Sequence, residues 1–441
     1  MSWPSCPGNA GGLPGAILLA ICLLSQTGCS SAPTAKDSGA EQVLVVKIAK
    51  LPGGPEAWER LLDGFRAEHA GLAVHTEWLP NASDEQHLFY VINLEAGAAD
   101  FDVFALDVVW VQEFARAGWL LDLTERLTSD EVRLLRDDYF RGAAACSFLD
   151  GRCYAIPWFT DAGLLYYRED LLSRYGLSPP RTWDELARQA QLVRKRQGDP
   201  ALAGFLFQGK QYEGLVCAAL EVLRGHGGDV LRGGKPSLND PACVRALEFL
   251  RELVVSDVSP PMVRSADEEA TRRLFGDGKA VFLRNWPYAW TLFQAPGSAV
   301  RGKVGIARVP AQPGAASAPT LGGWQFGVNR NSRRPGPAVE LVRYFMRPDI
   351  QRRLVLELGL TSPRRSVLRN PEILAANPFL GKLVESLESA CPRPLSPYYL
   401  AISHELQSAF SGVVAGIRQP APALAQAQRR IEGILAQEAA R

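Results

Sequence analysis

Residues 42–50 read QVLVVKIAK and residues 101–107 read FDVFALD; the chain between these two stretches decides the fold. Both are strands by their β-branched and apolar content. Between them, Trp58, Leu61, Leu62 and Phe65 recur at the spacing of an amphipathic helix that Gly71 ends. Residues 72–79 form the next strand, and a second helix carries Leu88, Val91, Ile92 and Leu94 toward Gly97. The order β-α-β-α-β predicts an α/β fold with a mostly parallel sheet and helices on both faces. In such sheets ligands bind beyond the carboxyl ends of strands, where Asp107 falls. Asp107 is also placed to cap a helix over 108–117 that Gly118 closes. One carboxylate can hold both roles.

Working outward, the character changes at Tyr154. The stretch YAIPWFTDAGLLYYR (154–168) holds an apolar strand, then Asp161 among small residues, then a second apolar strand. FGDGKAVF (275–282) is a glycine turn into a strand, residues 310–319 are a Pro/Ala/Gly-rich connection, and the chain after Pro335 is helical with breaks at Pro348 and Pro363. Cys146 and Cys153 flank Asp150-Gly151, a strong hairpin signal, which leaves a disulfide between them open. The eight cysteines show no CxxC spacing and no HExxH occurs, so no metal site and no cofactor is expected.

Composition bounds the function. The 441 residues suffice for two or three domains, and 48 basic against 47 acidic residues argue against a nucleic-acid partner. The first 28 residues carry no charged side chain; AILLAICLL (16–24) is too short to span a bilayer stably but suits a signal-peptide core. It leads into Thr27-Gly28-Cys29-Ser30, which resembles a bacterial lipobox although no Lys or Arg precedes the apolar run. The expectation is a signal peptide over 1–28, a lipidated Cys29 and a flexible tether over 29–41.

The chemistry gathers around RNWPYAW (284–290). Its tryptophans and tyrosine pair flat apolar faces with polar handles, which suits a ligand apolar on its faces and hydroxylated at its edges, such as a pyranose. An ordinary aromatic core cluster is the competing reading. Trp324 in TLGGW, Trp158 and Phe159 in PWFTDAG, and Tyr212 in FQGKQYEG keep it company in loop-like, glycine-bearing contexts. GFLFQGK (204–210) and GSAVRGK (297–303) have phosphate-loop spacing but lack the following Ser or Thr that would bind magnesium. Carboxylates beside aromatics fit either a glycoside hydrolase or a grip on sugar hydroxyls.

The stretches DVFALDVVWVQEFARAGWL, AIPWFTDAGLLYYREDLL, FQGKQYEGLVC, RNWPYAW, TLGGW and PRPLSPYY together resemble the extracellular solute-binding lipoproteins of ABC sugar importers, nearest to trehalose/maltose-binding proteins. The resemblance implies a two-lobe fold, lobe 1 over 42–158 and 310–345 and lobe 2 over 159–309 and 346–441, with a disaccharide held in the cleft. It implies an exported, membrane-anchored monomer, not an enzyme, that delivers its ligand to importer permease subunits. Ligand contacts carry over to Asp107, Phe159, Asp161, Trp286, Tyr288, Gly323 and Trp324, and more loosely to Tyr212, Glu213 and Arg364. Glu56 stands nearest the family's sugar-binding glutamate. Gln86 and His87 occupy the place of paired arginines, and Phe159 replaces a tyrosine; these departures bear on the exact sugar more than on its class.

Overall fold

Nine strands carry the architecture that positions the site, in two sheets. In the first, β1 (Gln42–Ala49), β2 (Leu72–Leu79), β3 (Val103–Asp107), β4 (Ala155–Ala162) and β9 (Leu321–Val328) lie in the order β2-β1-β3-β9-β4. In the second, β5 (Leu164–Arg168), β6 (Ala203–Leu206), β7 (Ala280–Asn285) and β8 (Val304–Ala307) lie in the order β8-β5-β7-β6. The computed structural model describes residues 42–51, 54–80, 82–377 and 379–439; the signal peptide, Cys29 and the tether read from the sequence lie outside the described residues.

The first sheet follows from the β-α-β-α-β pattern. β1 pairs in parallel with β2 and β3, while β9 enters antiparallel between β3 and β4. Val103 and Ala105 of β3 face a core built with Trp58, Leu61 and Phe65; Phe104 and Leu106 face a second core with Tyr90 and Phe114. A strand buried on both faces reads as a continuous apolar run, as FDVFAL does. The second sheet is mixed: β7 is parallel to β6, and β5 is antiparallel to both β7 and β8.

Each sheet with its helices is a lobe, and the chain crosses between lobes three times. Gly163 alone separates β4 from β5, residues 308–320 join β8 to β9, and the third crossing follows the helix Pro348–Leu358. The boundaries differ from those expected at 158/159 and 345/346. β4 stays on the β9 ladder to Ala162, and Ile350, Leu354, Leu358 and Leu360 pack into the first-lobe core. Pro348 breaks the helix, not the packing, so the change of lobe falls between Leu360 and Val367.

The second helix and the hairpin read from the sequence both form, and the structure fixes two points left open there. In the helix Ser83–Glu95 the buried residues are Gln86, Tyr90 and Leu94, leaving Leu88 and Ile92 59 % and 60 % exposed. Tyr90 wins the core side because its ring packs against Phe104 at 4.9 Å while its hydroxyl reaches the Lys47 carbonyl at 3.3 Å. The hairpin at Asp150-Gly151 forms, with φ of 49° and 77°, but Cys146 and Cys153 are both free thiols. Cys146 donates to the Gly142 carbonyl at 3.3 Å and Cys153 to the Ala155 carbonyl at 3.4 Å, each turned into a different core.

Candidate functional site

A cavity of about 770 Å³ opens between the two sheets, within the size range of small-molecule sites. Its first-lobe wall comes from three neighbouring strands. Asp107 ends β3 and is paired with Trp324 of β9, which is paired in turn with Phe159 of β4. Trp324 is backed edge-on by Trp110 at 5.4 Å, so its ring is half wall and half core. Gly323 has φ of 121°, and a Cβ there would lie 2.5 Å from the Phe159 carbonyl oxygen; the close approach of β9 and β4 requires glycine. Phe159, Asp161 and Trp324 lie on strands and not on loops, which fixes their directions.

The second-lobe wall comes from the end of β7 and two helix starts. Trp286 and Tyr288 follow β7, while Tyr212 and Glu213 open the helix Glu213–Gly225. The helix Glu268–Gly276 supplies their partners: Trp286 Nε1 donates to Glu268 at 3.3 Å, Tyr288 donates to Glu269 at 2.8 Å, and Tyr212 donates to Glu268. Burial first, and then the neighbouring Glu268, push the Tyr212 phenol far up, so it stays a donor. These aromatics are therefore held in place before any ligand arrives.

The carboxylates divide sharply. Asp107 accepts from the Val109 amide at 3.1 Å and from Arg393 at 2.8 Å, so it holds the cavity-facing place anticipated for it. It does not cap a helix: residues 108–110 form a turn, and the helix runs only over Val111–Arg116 with Trp110 at its N-cap. Glu213 accepts from Arg393 at 2.8 Å, and from Tyr399 and Ser403 at 2.5 Å each. Burial alone would lower the Arg393 pKa; the Asp107 and Glu213 carboxylates reverse that and keep it charged. Asp161 differs: among the described residues no group donates a hydrogen bond to its carboxylate, and burial pushes its pKa up to about 7.

Nine of the twelve residues proposed as ligand contacts line one cavity: Asp107, Phe159, Asp161, Tyr212, Glu213, Trp286, Tyr288, Gly323 and Trp324. Three do not. Glu56 is exposed on the helix Gly54–Glu68. His87 sits behind the wall, bonded to Glu113 at 3.0 Å with its ring 5.3 Å from Trp110. Arg364 is buried in a pair with Asp138 at 2.7 Å and donates to the Met346 carbonyl at 2.7 Å, tying the third crossing to the first lobe. The cavity's arginine is Arg393. It lies inside the PRPLSPYY stretch, and the one signal available was an arginine fixed between two prolines. Glu268, Glu269, Lys50 and Asp84 also line the cavity without any sequence signal, and Lys210, which ended the incomplete phosphate-loop match, lines it too. Among the described residues no group of three or more His, Cys, Asp or Glu is placed to hold a metal ion.

Two α/β lobes joined by crossing segments around an aromatic, carboxylate-lined cleft define a periplasmic-binding-protein architecture. The chain belongs to the bacterial extracellular solute-binding protein family, whose model matches residues 49–352. It is 36 % identical over 391 residues to a probable ABC transporter-binding protein of Deinococcus radiodurans, covering 87 % of this chain and 89 % of that one. Among solved structures, maltose-bound MalE3 of T. maritima is 36 % identical with a TM-score of 0.80, covering 89 % of this chain and 99 % of that one. The GacH receptor of Streptomyces glaucescens, solved unliganded and with acarbose, shares the fold at 23 % identity and a TM-score of 0.78, covering 90 % and 99 %. Membership of this family makes the chain a binding protein and not an enzyme.

Proposed function

We propose that the chain is the substrate-binding component of an ABC importer, that it captures an α-linked disaccharide of the trehalose/maltose type, and that it delivers it to the permease from a lipid anchor at Cys29. The observation that carries this reading is the Asp161 carboxylate: it stands without a donor in a cavity walled by Phe159, Trp286, Tyr288 and Trp324. Aromatic faces stack on sugar CH faces, and an unpartnered acceptor seeks hydroxyl donors. The maltose in a neighbour of 36 % identity supports the same class of ligand. Asp107, Glu213 and Arg393 extend the polar side, and Tyr212, Tyr288 and Gly323 shape it.

Calorimetric titration of the purified protein with trehalose, maltose and other α-linked disaccharides tests this reading, with the mixtures analysed for products afterwards. One-to-one binding without cleavage is expected. No binding across the panel, or turnover of any member, overturns it.

A further inference from the structure

Behind the cavity wall lies a pair of charges that touches neither solvent nor the proposed ligand position. Arg284, in β7, and Glu221, in the helix Glu213–Gly225, are 2 % and 0 % exposed and are joined twice: Nη2 to Oε1 at 2.6 Å and Nε to Oε2 at 2.9 Å. A buried pair of this kind is costly to desolvate and is weak evidence for stability, so its other partners indicate its use.

Those partners are the crossings between the lobes. Glu221 Oε1 accepts from the backbone amide of Thr320 at 3.1 Å, the residue directly before β9, and the Thr320 hydroxyl donates to the Cys217 carbonyl at 2.9 Å. The Thr320 carbonyl accepts from the amide of Gly163 at 3.1 Å, the single residue between β4 and β5. A Cβ on Gly163 would lie 1.8 Å from Glu221 Oε1, so the carboxylate fills the space that glycine leaves. One side chain therefore meets two of the three crossings. On the opposite side the Arg284 guanidinium stacks on Trp286, 4.1 Å from the ring centroid, and Trp286 lines the cavity. The edge of that ring rests on β9, where a Cβ on Gly322 would lie 3.0 Å from Cζ3.

We infer that Glu221 and Arg284 are positioning residues that join the Trp286 wall to the lobe hinge: they hold the ring at one end and two crossing segments at the other. A ligand stacked on Trp286 then acts on the crossings through a planar, bidentate contact. The inference rests on the cavity being the disaccharide site.

The test begins with a disaccharide that the wild-type protein binds. Arg284→Lys keeps the charge and loses the planar fork; it is expected to weaken affinity at least tenfold and to reduce ligand-induced compaction in small-angle scattering. In a Trp286→Leu background the same substitution is expected to change affinity less than twofold, because the ring it acts through is gone. The double variant Glu221→Gln/Arg284→Met removes both buried charges, so it is expected to recover thermal stability without recovering affinity or compaction. It carries the test where Arg284→Lys does not fold. Wild-type affinity and compaction in the double variant, or an Arg284→Lys effect of equal size with and without Trp286, overturns the inference and leaves the pair structural. A wild-type protein that binds no disaccharide instead overturns the functional reading on which it rests.

Discussion

At the residue scale Asp161 is where the chemistry concentrates, and its environment fixes a pH signature. Its pKa is lifted from 3.8 to about 7 by burial, so the native state holds this proton more tightly than the unfolded chain does. Native stability therefore falls as pH climbs from about 4 toward 7, and the loss is complete above 7. Asp161→Asn removes that loss: the empty variant should melt above wild type at pH 8 and match it at pH 4. Ligand affinity should move the other way. The ionised carboxylate is the better acceptor, so wild-type affinity should rise from pH 5.5 to 8 while the Asn variant stays flat and about ten- to a hundredfold weaker. Calorimetry and melting curves on the two proteins check both halves; a variant that loses stability together with affinity would put Asp161 in the core. The sequence pointed to Asp161 through the family resemblance of the stretch AIPWFTDAGLLYYREDLL, and the structure places it on β4 facing the cavity. It hid Arg393 because that residue's value comes from Asp107 and Glu213, which are distant in the chain and 2.8 Å away in space.

At the scale of elements, alternation along strands was legible and helix faces were less so. β1 and β3 follow directly from their apolar runs, whereas β9 does not: its paired glycines read as a loop, and only the ladders on either side make it a strand. Nor does the helix Ser83–Glu95, since its apolar residues at 88, 91 and 92 suggest one face while packing against the sheet selects Gln86 and Tyr90. The buried amide of Gln86 finds no partner on either of its polar atoms among the described residues. A buried polar group without a partner costs about 1–3 kcal/mol. Gln86→Met, which keeps the length, should therefore raise the melting temperature, whereas Leu88→Gln and Ile92→Gln on the exposed side should stay within about 0.5 kcal/mol of wild type. Denaturant titration of the three variants separates the faces; a large loss at Leu88 would put that side chain in the core and contradict its exposure. The hairpin at Asp150-Gly151 makes a second case. Its turn was legible, but the fate of its cysteines depended on which core each thiol enters. Burial pushes both Cys146 and Cys153 up to about 12, which leaves little reactive thiolate at neutral pH. Under native conditions a thiol reagent should modify the partly exposed Cys391 first, with Cys146 and Cys153 reacting only on unfolding. Early labelling of either hairpin cysteine, located by peptide mass mapping, would contradict their placement.

At the scale of the whole molecule, the two sheets have separate cores and meet through crossings and the groups that gather at them. The lobe plan was legible from the sequence as a resemblance, yet the crossing points were not, because they depend on which core a helix packs into and not on where a proline interrupts it. Such an architecture predicts motion. A cavity wall shared by strand ends from one lobe and helix starts from the other can be completed only when both lobes contact the ligand together, and hinge closure is the motion of this class of protein. The three crossings set the path: Gly163 supplies a single residue, residues 308–320 a longer span, and Arg364 anchors the third through Asp138. Saturating ligand should therefore reduce the radius of gyration, and it should quench or shift tryptophan fluorescence, since Trp158, Trp286 and Trp324 all line the cavity. The same ligand should stabilise the fold by mass action, about 2.7 kcal/mol at one hundred times its dissociation constant. The three readouts need not agree, and their disagreement is informative. A thermal shift and a fluorescence change without compaction would mean that the ligand fills a cavity already closed, so that capture and delivery would not be linked by lobe movement. Compaction that tracks the fluorescence change across a titration would tie the aromatic walls to the hinge.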